Sequence, residues 1–200
     1  MDKIIPKLLA FFFSRLIEVL AILFIVSSVL YFLSLVSYYP DDPNFLHSEK
    51  KVIVNYLGFK GSVIADFIFQ SIGLVGYFFT INLFVWGFSA FKSKNFDFLI
   101  YNLFYTSIYF IVGATSFSIY KDQSFTLHSN GNGGFVGKLI KDIIINHFEN
   151  VETKIILFIL IIVSILFFIL SINFNLKKFK IIILNLFIIL KRLVLYFKKK

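Results

Sequence analysis

The chain has 200 residues, of which 58% are hydrophobic, with 29 phenylalanines, no cysteine and a formal net charge of +9; its mean hydropathy is +0.87. A domain of this length has no single core large enough to hide so much apolar surface, so the composition demands hydrocarbon as solvent. Without cysteine it excludes disulfides, thiolate-bound zinc, iron–sulfur clusters and a thiol nucleophile, while the positive charge suits either nucleic acid or an anionic bilayer until its placement is known.

Uncharged runs extend over Val19–Pro40, Phe67–Phe91, Phe98–Tyr120 and Ile155–Leu176, each holding the roughly 20 residues that cross a hydrocarbon core as a helix. They predict an all-α integral membrane fold with spans near 16–38, 66–91, 97–120 and 152–174, a membrane domain over 1–174 and a basic segment over 175–200. Lys3, Lys7 and Arg15 before the first span resemble the start of a signal peptide. The apolar stretch is longer than such a segment, however, and Tyr38-Tyr39-Pro40-Asp41-Asp42-Pro43 follows it instead of a small-residue cleavage site, so the span is expected to be retained.

Basic residues set the expected orientation, because Lys and Arg resist translocation and Asp and Glu count for little. The N-terminus, the second connection with Lys92 and Lys94, and the tail with Lys177, Lys178, Lys180, Lys191, Arg192 and Lys198 to Lys200 are assigned to the cytoplasm. In the first and third connections Lys50, Lys51, Lys60, Lys121, Lys138 and Lys141 are offset by Asp41, Asp42, Glu49, Asp122, Asp142 and Glu149, and these connections are placed outside. The net charge is thus mostly an asymmetry between two faces, explained by topology and contact with anionic lipid before any nucleic acid is invoked.

In the third connection, the glycines of Gly131-Asn132-Gly133-Gly134-Phe135-Val136-Gly137-Lys138 permit close backbone approach. The segment 139–148 after them is too short and too charged to span, which predicts an interfacial or re-entrant helix before the fourth span. Beyond that span, Ile183, Leu186, Phe187, Leu190, Leu193, Val194 and Phe197 form an apolar stripe opposite Lys177, Lys178, Lys180, Asn185, Lys191, Arg192 and Tyr196. This predicts an amphipathic helix on the cytoplasmic leaflet rather than a fifth span.

Residues that suggest chemistry mostly fail as sites. Gly137-Lys138 resembles the end of a phosphate loop, but Asn132 and Leu139 stand where that motif needs Gly and Ser or Thr. His47, His128 and His147 share no metal-ligand spacing, and no catalytic, cofactor or metal residues are assigned. Asp66 sits at the expected lip of the second span, where a helix N-terminus favours an acid. Its rival role is a proton relay in a small transporter or channel subunit. Gln70, Asn82 and Asn102 read as hydrogen-bonding contacts between spans, and Gly73, Gly76 and Gly113 as points of close helix approach.

Several segments resemble, in order, the N-terminal four-helix (4TM) membrane domain of FtsK/SpoIIIE-type DNA translocases. They are Ser37-Tyr38-Tyr39-Pro40-Asp41-Asp42-Pro43 after the first span, Asn55-Tyr56-Leu57-Gly58-Phe59-Lys60-Gly61, Ala65-Asp66, Gly73, Trp86-Gly87, and the glycine run from Gly131 through Gly133 and Gly134 to Gly137. The resemblance covers roughly Arg15 to Phe174, with Tyr39 where an acid or histidine is usual and no proline near Ile81-Asn82.

The resemblance implies structural roles for Ser37, Tyr38, Pro40, Asp42, Pro43, Gly58, Gly61, Ala65, Asp66, Gly73, Gly131, Gly133, Gly134 and Gly137. It implies an anchor in the bacterial inner membrane at the division septum, coupling cell division to chromosome segregation through other division proteins and a hexameric assembly. The ATP- and Mg-dependent motor and its contact with DNA would belong to a separate region, since these residues contain no Walker motif.

Overall fold

The computed structural model describes residues 4–43, 52–121, 127, 130–148 and 152–173. These form α1 (Ile4–Val36), α2 (Gly58–Ile72), a single 3-10 turn (Gly73–Val75), α3 (Gly76–Ser93), α4 (Leu99–Tyr120), α5 (Gly134–His147) and α6 (Thr153–Ser171), with no strand among the described residues. Among the described residues four helical stretches are long and apolar enough to cross a membrane: Leu8–Val36, Gly58–Ser93, Leu99–Tyr120 and Thr153–Ser171. Their outward faces carry large apolar side chains, such as Phe104 and Phe158, which suit hydrocarbon and not water.

The helices pair antiparallel, and small or polar residues set the contacts. Along α1 and α3, Gly87 lies against the backbone of Ala21 and Ile25. The Ser28 hydroxyl donates to the Thr80 carbonyl at 3.0 Å, and the Tyr31 hydroxyl donates to the Gly76 carbonyl at 3.0 Å. Along α4 and α6, Gly113 lies against Ser164, and Tyr109 meets Phe168 edge-on with centroids 5.4 Å apart. Lipid removes the hydrophobic drive between spans, so close packing and buried hydrogen bonds are what hold such pairs together.

The second span differs from its expected form. A straight helix over the 36 residues Gly58–Ser93 would be about 54 Å long, nearly twice the thickness of a hydrocarbon core. The helix breaks at Gly73 (φ 65°, ψ −147°). Gly61, Ala65, Asp66 and Phe69 of α2 all meet the short stretch Ser34–Tyr38 at the end of α1. α2 therefore packs on the end of α1, and α3 runs along the rest of it. Residues 66–72 of the expected span belong to α2, before the break.

At the opposite end of α3, Glu18 accepts from Arg15 at 2.6 Å and pairs with Lys94 at 2.5 Å, joining the middle of α1 to the α3–α4 turn. That turn is closed by Lys94 in a left-handed conformation (φ 57°), its N–H donating to the Ala90 carbonyl at 2.9 Å. The first and third connections share the other end, where Asn130 reaches Gln70. α5, with 14 residues, spans about 21 Å, too short to cross. The expected amphipathic helix over 175–200 lies outside the described residues.

Candidate functional site

The most densely bonded part of the molecule is the end capped by the first connection. α1 stops at Val36 because the Ser37 hydroxyl bends back to the Leu33 carbonyl (2.7 Å) and the Tyr38 N–H to the Leu35 carbonyl (3.3 Å). Pro40 then occupies the second position of a turn closed by the Asp42 N–H on the Tyr39 carbonyl at 3.1 Å, where its fixed φ fits. The buried Asp42 carboxylate accepts the N–H groups of Val54 and Asn55, one on each oxygen, both at 2.9 Å.

Asn55 is the hub of this cap. Its amide donates to the carbonyls of Ser34 (2.9 Å) and Ser37 (3.3 Å), and its side-chain oxygen accepts the Leu57 N–H at 3.1 Å. Gly61 must lack a side chain, because a Cβ there would strike that same oxygen and the Leu57 side chain. The Ser34 hydroxyl donates to the Gly61 carbonyl at 2.7 Å and the Ser62 hydroxyl to the Pro43 carbonyl at 2.5 Å. Ala65 is buried against Leu35, Phe69 and Leu127.

Asp66 stands two turns inside α2, since that helix begins at Gly58 and has no acid in its first turn. The expected macrodipole contact is therefore replaced by side-chain bonds: the Tyr38 hydroxyl donates to Asp66 Oδ1 at 3.2 Å and Gln70 Nε2 at 3.4 Å. Asn130 extends the chain by donating to Gln70 Oε1 at 2.8 Å. Burial, reinforced by the Asp66 charge, pushes the Tyr38 phenol above its ordinary value, so it remains a proton donor in this chain.

The glycine run fills the break between α2 and α3. The Leu74 N–H, released by the break, donates to the Asn132 carbonyl at 2.8 Å. A Cβ on Gly73 would strike the Asn132 and Gly133 backbone, and one on Gly134 the backbone of Ser71 to Gly73. Gly133 and Gly137 press on Ala114 and Ser118 of α4. Gly131 turns the chain at φ 70°, its N–H donating to the Leu127 carbonyl at 3.0 Å. With glycine backbones packed directly on protein, this segment has no room for the phosphates that a phosphate loop would cradle.

A second polar cluster lies within the bundle. Asn82 of α3 donates to the Ser171 hydroxyl of α6 at 2.7 Å and weakly to Thr106 of α4 at 3.5 Å. It accepts from the Tyr109 hydroxyl at 2.6 Å, and Trp86 donates to the Ser171 carbonyl at 2.8 Å. The expected bond between spans is thus present at Asn82. Asn102 corrects the parallel expectation: it is buried, yet neither side-chain polar atom has a partner among the described residues.

The sequence-predicted residues of the first connection and of α2 come together in one network with the glycine run. Gly58 joins it through its backbone, its N–H donating to the Asn55 carbonyl at 2.9 Å, and its φ of 63° leaves open space where a Cβ would stand. Ser34, Ser62 and Asn130 belong to no motif that marks the site in the sequence, although the network runs through them, and Gln70, expected to bond between spans, instead bonds Asp66 in its own helix and Asn130 of the third connection. Ser62 and Asn130 stand beside glycines, whereas Ser34 lies between two leucines and gives no signal. His147 is exposed at the end of α5, and His47 and His128 lie outside the described residues. Among the described residues no cluster of three metal-ligating side chains occurs.

With this geometry in view, the family model described as the 4TM region of DNA translocase FtsK/SpoIIIE matches residues 14–179. No curated protein and no solved structure matches the chain.

Proposed function

We infer the role of this chain from its membership: it belongs to the family of 4TM regions of FtsK/SpoIIIE DNA translocases, and its work is to anchor such a translocase in a membrane. The observation that carries the reading is the extent of the match, 14–179, which takes in the first and third connections, the last three spans and all but the first residues of the first span. The anchor sits in the bacterial inner membrane at the division septum, with both ends in the cytoplasm. It associates with further copies of itself, as a hexamer, and with other division proteins, and so couples division to chromosome segregation. DNA is moved by a separate ATP- and Mg-dependent motor; the chain itself carries out no catalysis.

The packing supports an anchoring role. Glycine backbones pressed on one another, and a cap in which Asp42 and Asn55 satisfy several backbone groups, give a stiff mount. The competing transporter reading rests on Asp66. That carboxylate is held by Tyr38 and Gln70, and the break beside it is filled by the Asn132–Gly134 backbone, which favours the anchor. Ion flux in proteoliposomes that disappears in Asp66→Ala would reverse that preference.

A chimera tests the anchoring function. This chain, joined after Lys200 to a translocase motor lacking its own membrane region, is expected to relieve the division and segregation defect of a host without the native anchor. An unrelated four-span anchor on the same motor is expected to fail. Equal rescue by both would show that any membrane tether suffices and would remove the specific role proposed here.

A further inference from the structure

Between α4 and α6, in the half of the bundle nearer the glycine run, lies a cavity of about 350 Å³. Its floor is the tight contact of Gly113 with Val75 and Ser164. Phe78, set edge-on against Phe168 with centroids 5.3 Å apart, bounds the inner end, and Phe117 and Ile161 form the sides. Tyr120, 75% exposed, stands at the outer end. Ile161 and Ile165 are exposed as well, so the cavity opens away from the bundle as a groove.

The lining is apolar, and the Ser116 hydroxyl is spent on the Val112 carbonyl of its own helix at 2.8 Å. Water finds too few partners there to settle, while an empty groove forfeits dispersion contacts along its whole wall. In the solvent that the outward faces of the spans demand, the material at hand is hydrocarbon. Along α4 the groove runs from Gly113 to Tyr120, about 10 Å at the rise of a helix. That length lies within the roughly 15 Å depth of hydrocarbon in one leaflet. Spread over it, the cavity volume gives a cross-section of about 35 Å², which admits a polymethylene chain but not a helix about 10 Å across.

The mouth supplies the charge that a phospholipid needs. Tyrosine favours the level of the headgroups, and directly after Tyr120 comes Lys121, exposed and extended as the chain leaves α4, with no ion pair among the described residues. We propose that this groove binds one diacyl phospholipid of the leaflet on the capped side, with one acyl chain between α4 and α6 and the phosphate at Lys121. The bound chain gives α6, which has no buried residue in its most apolar stretch, a wall shared with α4. The site stands whether or not the chain anchors a translocase.

Native mass spectrometry of Met1–Lys200, delipidated in detergent and titrated with phosphatidylglycerol, counts the lipids held. One phosphatidylglycerol is expected to bind at least about tenfold more tightly than any after it. Ser116→Leu, which places a side chain in the groove, and Ile161→Trp, which closes it from the rim, are each expected to weaken that first binding by about tenfold. Lys121→Ala leaves the groove open and is expected to cost up to about fivefold, the range of an exposed ion pair. Val29→Trp, equally bulky on an exposed face of α1, is expected to change nothing. Equal affinity for successive lipids, retention of the first lipid in both groove variants, or an equal loss in Val29→Trp overturns the proposal. A lipid-free dimer that the groove variants dissociate overturns it too, by assigning the groove to a second copy. If Ser116→Leu is not recovered folded, Ile161→Trp, at an exposed position, decides alone.

Discussion

Gly58 and Gly73 share a left-handed backbone, at φ 63° and 65°, but they differ in what surrounds them. At Gly58 nothing lies within 4 Å of the place a Cβ would take, so Gly58→Ala carries only conformational strain, expected at about 1–2 kcal/mol. At Gly73 the same change also drives a Cβ into the Asn132 backbone. The expected loss is at least about 3 kcal/mol, as strain and overpacking act together. Reversible unfolding in mixed detergent micelles measures both, and equal losses would mean that the glycine run does not sit in the break.

Asn55 separates hydrogen bonding from shape at the same scale. Asn55→Ala leaves the carbonyls of Ser34 and Ser37 and the Leu57 N–H without their partner. A buried group left unpaired costs about 1–3 kcal/mol, so this substitution is expected to destabilise more than Asp41→Ala at an exposed position of the same loop. The same unfolding measurement ranks the two variants, and the opposite order would contradict the assignment of Asn55 as hub.

Among single residues, the sequence reveals which positions need glycine but not what each glycine meets. A run such as Gly131-Asn132-Gly133-Gly134 announces close approach; that Gly73 is the surface approached depends on the Gly73 break, which hydropathy does not register. Asp66 departs from its expected place for a related reason. Counting apolar residues starts the helix at the edge of the uncharged run, whereas the capped loop starts it at Gly58.

Among the elements, α6 is the least enclosed. No residue of its most apolar 18-residue stretch is buried, and its ties to α3 converge on Ser171 at its end. Asn82→Ala and Trp86→Phe each remove one hydrogen bond to Ser171. Each is expected to cost about 1–3 kcal/mol, the range for unpairing a buried group. Because they share Ser171, the double variant is expected to lose measurably less or more than the sum, by about 0.5–3 kcal/mol. Strict additivity in a double-mutant cycle would show two independent contacts in place of one cluster.

This cluster also marks the limit of periodicity. The long apolar runs announce four spans, and Asn82 announces a polar contact inside them. Neither tells which helix supplies the partner, because polar residues on several spans offer more pairings than sequence spacing can rank. The division of the second run into α2 and α3 is likewise hidden, since both halves are apolar and only the tertiary contact with Asn132 distinguishes them.

Across the whole molecule, the arrangement has two unlike ends. One carries Arg15, Glu18, Lys92 and Lys94; the other carries the capped loop, α2 and the glycine run. The orientation proposed from the positive-inside rule puts the first in the cytoplasm. In intact spheroplasts a membrane-impermeant maleimide is expected to label Asp41→Cys and to spare Asn95→Cys until the membrane is permeabilised. Labelling of Asn95→Cys alone before permeabilisation would invert the orientation. The cysteine-free background makes each label unambiguous.

The central claim is that this chain is the membrane anchor of a septal translocase. Imaging a fluorescently tagged Met1–Lys200 in dividing cells of its own host, with membrane insertion and full length verified by fractionation and blotting, tests it most directly. The account predicts a band at midcell that appears with constriction; uniform fluorescence around the membrane from stable, inserted protein would contradict it.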